Sequence, residues 1–259
     1  MHENQLISTT SKSQGFIERY LKILKYHGLK NGFRRALDQW TQIDMYDLKN
    51  GINTRDILGG SDFQASVDQA GASEVMHYQP VYTAAVKLPL QFLVKNFPIV
   101  GASSTCFIDL GCGRGKALHV ARSVMQHVSL VGVDLNFELL MSAWNNLGCN
   151  NNLNKPSDAH FRDKLNQVDF YNFNVNDVNY LSILKPFDVV IVFNKNSFDR
   201  NTTKGTLAAI AEATKDKDVF YIYNNPVFES SFGQFDCIFT MDNWHKNWRT
   251  KVFQIQASN

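Results

Sequence analysis

The chain has 259 residues, of which 44% are hydrophobic, 12% aromatic and 19% charged. That apolar fraction is ordinary for a globular protein, so the chain can bury a core, and a largely disordered protein is excluded. Lysine and arginine number 26 against 24 acidic residues, which leaves a net charge of +2. A balance this close to neutral gives no global reason to expect a nucleic-acid-binding protein.

The four cysteines are not spaced for metal binding. Cys106, Cys112, Cys149 and Cys237 form no C-x-x-C pair, and no cysteine–histidine cluster has zinc-ligand spacing. We therefore expect no metal site and reduced thiols in a cytoplasmic protein. Residues 1–14 are polar and expected to be flexible, without the apolar core of a secretory signal, and no window approaches the roughly 18 apolar residues of a membrane span.

Residues 15–97 are predicted to form a helical extension. Apolar residues recur at helical spacing from Phe16 onward, and Gly28 interrupts the pattern. From residue 11 to residue 40, seven basic and two acidic side chains give seven minus two, or +5. Two interpretations stay open: a helical cap with its charged face in water, or a surface for an acidic partner or an anionic membrane. Nearer the end of the extension, Pro89 is expected to kink or divide a helix over 77–97.

After residue 98 the pattern changes to strands alternating with helices. The predicted strands are 106–110, 129–134, 168–174, 187–193 and 219–223, the helices are 116–125, 138–147 and 206–214, and two antiparallel strands close the chain at 235–240 and 251–255. Strands separated by helices predict βαβ units. The expected fold class is α/β: a doubly wound, mostly parallel, seven-stranded sheet over residues 98–259.

A glycine-rich turn follows the first of these strands. Its glycines are Gly111, Gly113 and Gly115, with Cys112 between the first two, and Asp109 lies two residues before them. Glycines let a backbone approach a ligand closely, and the helix that follows offers unpaired N–H groups. The G-x-G-x-G spacing differs from the G-x-G-x-x-G of dinucleotide folds. A carboxylate at Asp109 would repel a pyrophosphate but attract an ammonium, so the pattern favours a zwitterionic ligand.

Acidic residues follow the next two strands as well. Asp134, with Leu135 after it, ends the second strand, where a carboxylate suits the two hydroxyls of a ribose. Asn176 and Asp177 follow the third strand, where an adenine amino group can be read. A ligand with an amino-acid end, a ribose and a base describes S-adenosylmethionine.

These residues resemble the class I S-adenosylmethionine-dependent methyltransferases, whose [D/E]-x-G-x-G-x-G motif matches Asp109, Gly111, Gly113 and Gly115. The resemblance covers about residue 105 to the C-terminus and implies a Rossmann-like fold, S-adenosyl-L-methionine as cofactor, and cofactor contacts at Asp134 and Asp177. It implies methyl transfer by direct displacement to an acceptor that the sequence does not identify, a small molecule or a protein nitrogen or oxygen.

A narrower resemblance reaches upstream. Within the segment Tyr46–Thr54, the residues from Asp47 onward read D-x-x-x-G-x-x-T, and Tyr78-Gln79-Pro80 reads Y-x-P; both are similar to segments of a poorly characterised group of bacterial methyltransferases. The likeness suggests that this stretch belongs to the same functional unit, with Tyr78 and Gln79 as cofactor or substrate contacts.

The end of the fourth strand is the predicted place of transfer. Asn194 and Lys195 stand where many amine and amide methyltransferases have [N/D]-P-P-[F/Y], and Phe198 follows, but the prolines are absent. We expect Asn194 to contact the acceptor and the cofactor, and Lys195 to lie at the transferred methyl group. Asp199 and two histidines, His77 and His245, are further candidates for a general base.

Two rival functions stay open at this point. A non-catalytic S-adenosylmethionine-binding module or regulator is conceivable because the proline pair is missing, although the intact glycine loop argues against it. A nicotinamide-dependent dehydrogenase is disfavoured by Asp109 and by the glycine spacing. Nucleic acid is not an expected partner, and the oligomeric state is open.

Overall fold

A computed structural model describes residues 16–55, 80–149, 160–164, 167–196, 198–242 and 249–255. The helices are α1 (Phe16–Gln39), α2 (Met45–Asn50), α3 (Thr83–Asn96), α4 (Lys116–Val124), α5 (Phe137–Asn146) and α6 (Arg200–Ala213), with a π-helical turn at Trp40–Asp44 and 3₁₀ turns at Val178–Leu184 and Glu229–Phe232. The strands are β1 (Thr105–Leu110), β2 (Ser129–Val133), β3 (His160–Asp163), β4 (Val168–Tyr171), β5 (Val189–Asn194), β6 (Asp218–Asn224), β7 (Asp236–Asp242) and β8 (Arg249–Ile255).

The strands form one sheet in the order β3-β4-β2-β1-β5-β6-β8-β7. Five of them are parallel neighbours, and in chain order they take the positions 3-2-1-4-5 of a Rossmann sheet. The strand order reverses between β1 and β5, which is where such sheets bind ligands at their carboxyl edge. The predicted doubly wound α/β fold is confirmed.

The predicted number of seven strands is wrong, because β3 adds an eighth. It pairs antiparallel to β4 at the edge of the sheet, with His160 opposite Tyr171 and Asp163 opposite Val168. Only four residues long, β3 alternates exposed and buried side chains. A strand this short, with charged residues on its exposed face, carries too weak a periodic signal to be separated from a loop.

The described part of the N-terminal region is mainly helical, as predicted, and α1 bends at Gly28. Gly28 has φ 72° and ψ 165°, a conformation that glycine adopts without a steric cost. The predicted apolar stripe is partly exposed, since Phe33 and Leu37 have 65% and 50% of their surfaces in solvent. Helix α3 begins six residues later than predicted, and it continues unbroken through Pro89. Burial of Pro89, Leu90 and Leu93 supports it there, because tertiary packing outweighs one missing hydrogen bond.

Two apolar cores cover the two faces of the sheet. Helices α3, α4 and α5 pack with Phe107 and Phe193 on one face, and the π-turn residue Ile43 belongs to the same core. Helix α6 packs with Ile108 and Val190 on the other face. The helical extension therefore shares its core with the face of the sheet that carries α4, the helix after the glycine turn.

Two findings concern the predicted environment of the chain. Within the described residues, no helix combines the length and the apolar character needed to cross a membrane. All four cysteines carry free thiols, and Cys237 alone among them is exposed.

Candidate functional site

The glycine turn after β1 has three residues in the left-handed region. Gly111, Gly113 and Gly115 have φ values of 79°, 52° and 77°, which residues other than glycine rarely adopt. Gly115 is also sterically constrained, because a Cβ atom there would lie 2.9 Å from the Cβ of Ala143 in α5. The glycine spacing is thus required by the backbone path of the loop and by its close approach to α5.

Asp134 fastens this loop to the end of β2. Its carboxylate accepts hydrogen bonds from the amide of Gly113 at 2.8 Å and from the amide of Asn136 at 2.9 Å. The N-cap of α5 is Asn136, whose side chain accepts from the amide of Leu139. Each carboxylate oxygen of Asp134 keeps a lone pair, so the predicted contact to ribose hydroxyls is stereochemically possible and remains a prediction.

Asp109 is the least satisfied acid of the site. It is 3% exposed, and no described residue donates a hydrogen bond to its carboxylate. Burial, and then the nearby charge of Asp134, raise the pKa of Asp109 well above its usual value. A buried acid to which the described part of the chain donates no hydrogen bond fits a ligand that brings a cationic or donor group to it.

The loop packs on β2 through a close contact between Cys112 and Gly132. A Cβ atom at Gly132 would lie 2.9 Å from the Sγ of Cys112 and 2.8 Å from the ring of Phe170. Burial raises the pKa of the Cys112 thiol, and the charges of Asp134 and Asp109 raise it further. The thiol is a packing group, so a cofactor contact at Cys112 would involve its backbone.

Asn172 contacts the candidate site and was not predicted from the sequence. Its side-chain amide donates to the carbonyls of Asp134 at 3.0 Å and Leu135 at 2.8 Å, which fixes the turn that follows β2. Of the two residues predicted there, Asn176 is exposed and Asp177 is partly buried. Asn172 follows β4 directly. Its position at the carboxyl end of a parallel strand is the one feature of the sequence that could have indicated a place near the ligand.

The end of β5 lies beside the glycine loop, since Asn194 is opposite Leu110 in the parallel ladder. Side chains alternate along a strand, so Asn194 lies on the face of Val190 and Val192, opposite to the face that carries Asp109. Lys195 lies on the side of Asp109 and donates from Nζ to the carbonyl of Pro80 at 3.2 Å. Burial lowers the pKa of Lys195 to about 8.

Tyr78, Gln79, His77 and His245 lie outside the described residues. Asp199, a candidate base, is the N-cap of α6, where its side chain accepts from the amide of Thr202 at 2.8 Å. This capping explains why α6 begins at residue 200 and not at 206 as predicted. The bond occupies Asp199 at the start of a helix, and nothing in its contacts supports a role as a base.

The upstream D-x-x-x-G-x-x-T segment closes on itself. Asp47 accepts hydrogen bonds from the amide and the hydroxyl of Thr54 at 2.7 and 2.8 Å, and Gly51 ends α2 with φ 65°. Both side chains of this pair are fully buried. The first and last residues of the motif are therefore partners in one tight turn.

No protein-family profile and no curated protein sequence matches the chain. Solved structures share its overall arrangement at low identity. A putative methyltransferase from Escherichia coli, yhhF, is 12% identical with a TM-score of 0.47, covering 70% of this chain and 90% of that one. The methyltransferase domain of bacterial CtHen1 is 16% identical with a TM-score of 0.45, covering 66% and 99%.

A TehB-like S-adenosylmethionine-dependent methyltransferase from Corynebacterium glutamicum is 14% identical with a TM-score of 0.42, covering 76% of this chain and 96% of that one. Similarity at this level concerns the course of the chain and carries no information on ligand or acceptor. The assignment of a Rossmann-like fold rests on the strand order of the sheet itself.

Proposed function

We propose that this protein is a class I methyltransferase that uses S-adenosylmethionine. The observation that carries the proposal is Asp109, a buried acid that accepts no hydrogen bond from the described residues and lies at the strand end that leads into three left-handed glycines. Its position beside the loop supports a ligand with a positively charged end, such as the ammonium of an amino acid.

Asp109 and Asp134 together favour an adenosyl cofactor over a dinucleotide. A pyrophosphate in this loop would lie beside both Asp109 and Asp134 and would be repelled by them. Ribose hydroxyls, by contrast, are donors and can bond to Asp134, whose carboxylate the loop already orients through Gly113. One acid, Asp109, suits an ammonium, and the other, Asp134, suits ribose hydroxyls. This combination favours S-adenosylmethionine over a dinucleotide.

When bound, S-adenosylmethionine would supply an electrophilic methyl group that needs no further activation. The chain would then have to orient the acceptor and take up its proton. Lys195 is the better placed of the two predicted catalytic residues, because it lies on the same side of the sheet as Asp109. With a pKa near 8, its amine is partly neutral at physiological pH and can accept a proton from the acceptor.

The helical extension over residues 15–97 is proposed to cover this side of the sheet and to shape the acceptor pocket. Support comes from Lys195, whose ammonium contacts the carbonyl of Pro80 just before α3. The acceptor itself, whether a small molecule or a protein, stays open.

A binding titration with a turnover assay tests the proposal. We expect S-adenosylmethionine and S-adenosylhomocysteine to bind and NAD not to bind. Tighter binding of NAD would contradict the proposal and favour the dehydrogenase. Binding of the adenosyl ligands without transfer to any amine, hydroxyl or protein acceptor would favour the non-catalytic module.

A further inference from the structure

We propose that the segment Ile43–Thr54 positions the glycine loop, acting through the side chains of Lys116 and Asn146. The inference rests on the proposed function only in taking this loop as the part that holds the cofactor. It gives the D-x-x-x-G-x-x-T segment, 57 residues before the loop, a role in ligand binding.

The first link is an ion pair between Asp47 and Lys116. The Nζ atom of Lys116 lies 2.9 Å from Oδ1 of Asp47 and donates to the carbonyl of Ile43 at 3.3 Å. The Lys116 and Asp47 side chains are 2% and 0% exposed. Because Lys116 is the first residue of α4 and directly follows Gly115, this pair anchors the end of the loop to the segment.

Because this ion pair is buried, its two side chains are held in one fixed arrangement. An isolated buried charge is very costly, so Lys116 and Asp47 must remain together whenever the fold is intact. Burial lowers the pKa of Lys116, and the carboxylate of Asp47 opposes that shift. The ring of Tyr46 lies 5.0 Å from the ammonium and adds a cation–π contact.

The second link runs through Asn146, the last residue of α5. Its side-chain amide donates to the carbonyl of Arg114 at 2.9 Å and to the carbonyl of Asn53 at 3.1 Å. Its side-chain oxygen accepts from the amide of Asn53 at 3.0 Å. One side chain therefore joins the loop residue Arg114 to the same segment, without using a charge.

The two links hold residues of the loop other than the one that Asp134 holds. Gly113 is fixed by the Asp134 carboxylate, whereas Arg114 and Lys116 are fixed by the upstream segment. A loop with three left-handed glycines loses much conformational entropy when it is ordered, and contacts such as these restrict it. Preorganising the loop would reduce the entropy that ligand binding must offset.

Hydrogen exchange of the unliganded protein tests the inference directly. Two variants break the links, Lys116→Met and Asn146→Ala, and Lys217→Met is the control. Asn146→Ala removes a neutral side chain, so it leaves no buried charge without its partner. Lys217 also donates to two backbone carbonyls, Lys185 and Phe187, but at the amino edge of the sheet. We expect exchange of the loop amides 111–117 to rise about tenfold in the first two variants, which corresponds to opening that is easier by about 1.4 kcal/mol.

The control should leave exchange in the loop unchanged. If Asn146→Ala accelerates exchange evenly over the whole sheet, or leaves the loop protected, the links only stabilise the fold and the inference is wrong. Should Lys116→Met fail to fold, Asn146→Ala decides alone.

Affinity for S-adenosylhomocysteine separates this inference from the proposed function. We expect Asn146→Ala to weaken binding by about tenfold, with Lys217→Met equal to wild type. Equal affinity in all three folded proteins would overturn the inference while leaving the methyltransferase proposal intact. If the wild-type protein does not bind the ligand, the proposed function fails, and the exchange experiment still decides whether the segment positions the loop.

Discussion

The carboxylate of Asp134 and the amide of Gly113 are joined by a hydrogen bond of 2.8 Å across 21 residues of sequence. This bond makes the acid at the end of β2 part of the glycine loop as well as a candidate for ribose binding. A substitution at Asp134 should therefore change both the loop and the ligand contacts.

We expect Asp134→Ala to weaken S-adenosylmethionine binding by about ten- to a hundredfold, since charge-assisted hydrogen bonds contribute roughly 1.5–3 kcal/mol each. Calorimetric titration measures the change. Asp242→Ala is the matched control, because Asp242 is an exposed acid paired with Arg249 on β8. Unchanged affinity in a folded Asp134→Ala protein would contradict the ribose assignment.

Asp109 makes stability depend on pH in a direction unusual for an acid. Its pKa is raised well above the 3.8 of the free side chain, so the folded state keeps a proton that the unfolded state releases. The free energy of unfolding therefore falls as the pH rises from about 4 toward the raised pKa. We expect Asp109→Asn to be more stable than wild type at neutral pH, and that advantage to disappear near pH 4.

The same substitution should weaken binding of the cationic cofactor, because an amide carries no negative charge to attract the ammonium. Urea unfolding at several pH values and titration with S-adenosylmethionine measure the two effects. If the Asp109→Asn protein is less stable than wild type at pH 7, or binds S-adenosylmethionine normally, the carboxylate of Asp109 does not bind the ammonium of the cofactor.

Much of the fold was predictable because its signals are local. The run Val189–Phe193 is continuously apolar, as expected of a strand buried on both faces, and β5 occupies Val189–Asn194. The glycines were likewise informative, since the left-handed conformation strongly favours glycine, and three of them at alternate positions predict a tightly turning loop.

The remaining features depend on contacts between distant parts of the chain. Asp47 and Lys116 are 69 residues apart, and nothing local marks them as partners. Asn194 was predicted at the acceptor from its place in the sequence, but the face on which it lies follows from the register of β5 against β1. Asp199 looked like a candidate base because an N-cap and a catalytic acid use the same residue type.

Lys195 and Asn194 can be distinguished by kinetics. We expect Lys195→Met to lower kcat by about a hundredfold, the lower end of general base catalysis, with little change in cofactor affinity. The wild-type kcat should rise with pH up to about 8 and then level off, because the neutral amine is the active form. Asn194→Ala should have the smaller effect on turnover.

Lys215→Met is the control for both substitutions, since Lys215 is exposed and precedes β6 at the amino edge of the sheet. A flat pH profile, or full turnover in Lys195→Met, would remove Lys195 from the mechanism. A larger loss in Asn194→Ala than in Lys195→Met would restore Asn194 as the principal acceptor contact.

The buried ion pair should behave non-additively in unfolding experiments. Lys116→Met or Asp47→Leu alone leaves one buried charge without its partner and should cost about 3–5 kcal/mol. The double variant removes both charges, so we expect it to be more stable than either single variant. Losses that simply add would show that the two side chains do not depend on each other.

The central claim is that the loop and its two acids hold an adenosyl cofactor with an amino-acid end. A crystal structure of the protein with S-adenosylhomocysteine tests it most directly. We predict the ligand at the carboxyl edge between β1 and β5, with its ammonium toward Asp109 and its ribose hydroxyls on Asp134. A ligand bound elsewhere, or an amino-acid end turned away from Asp109, would contradict the account.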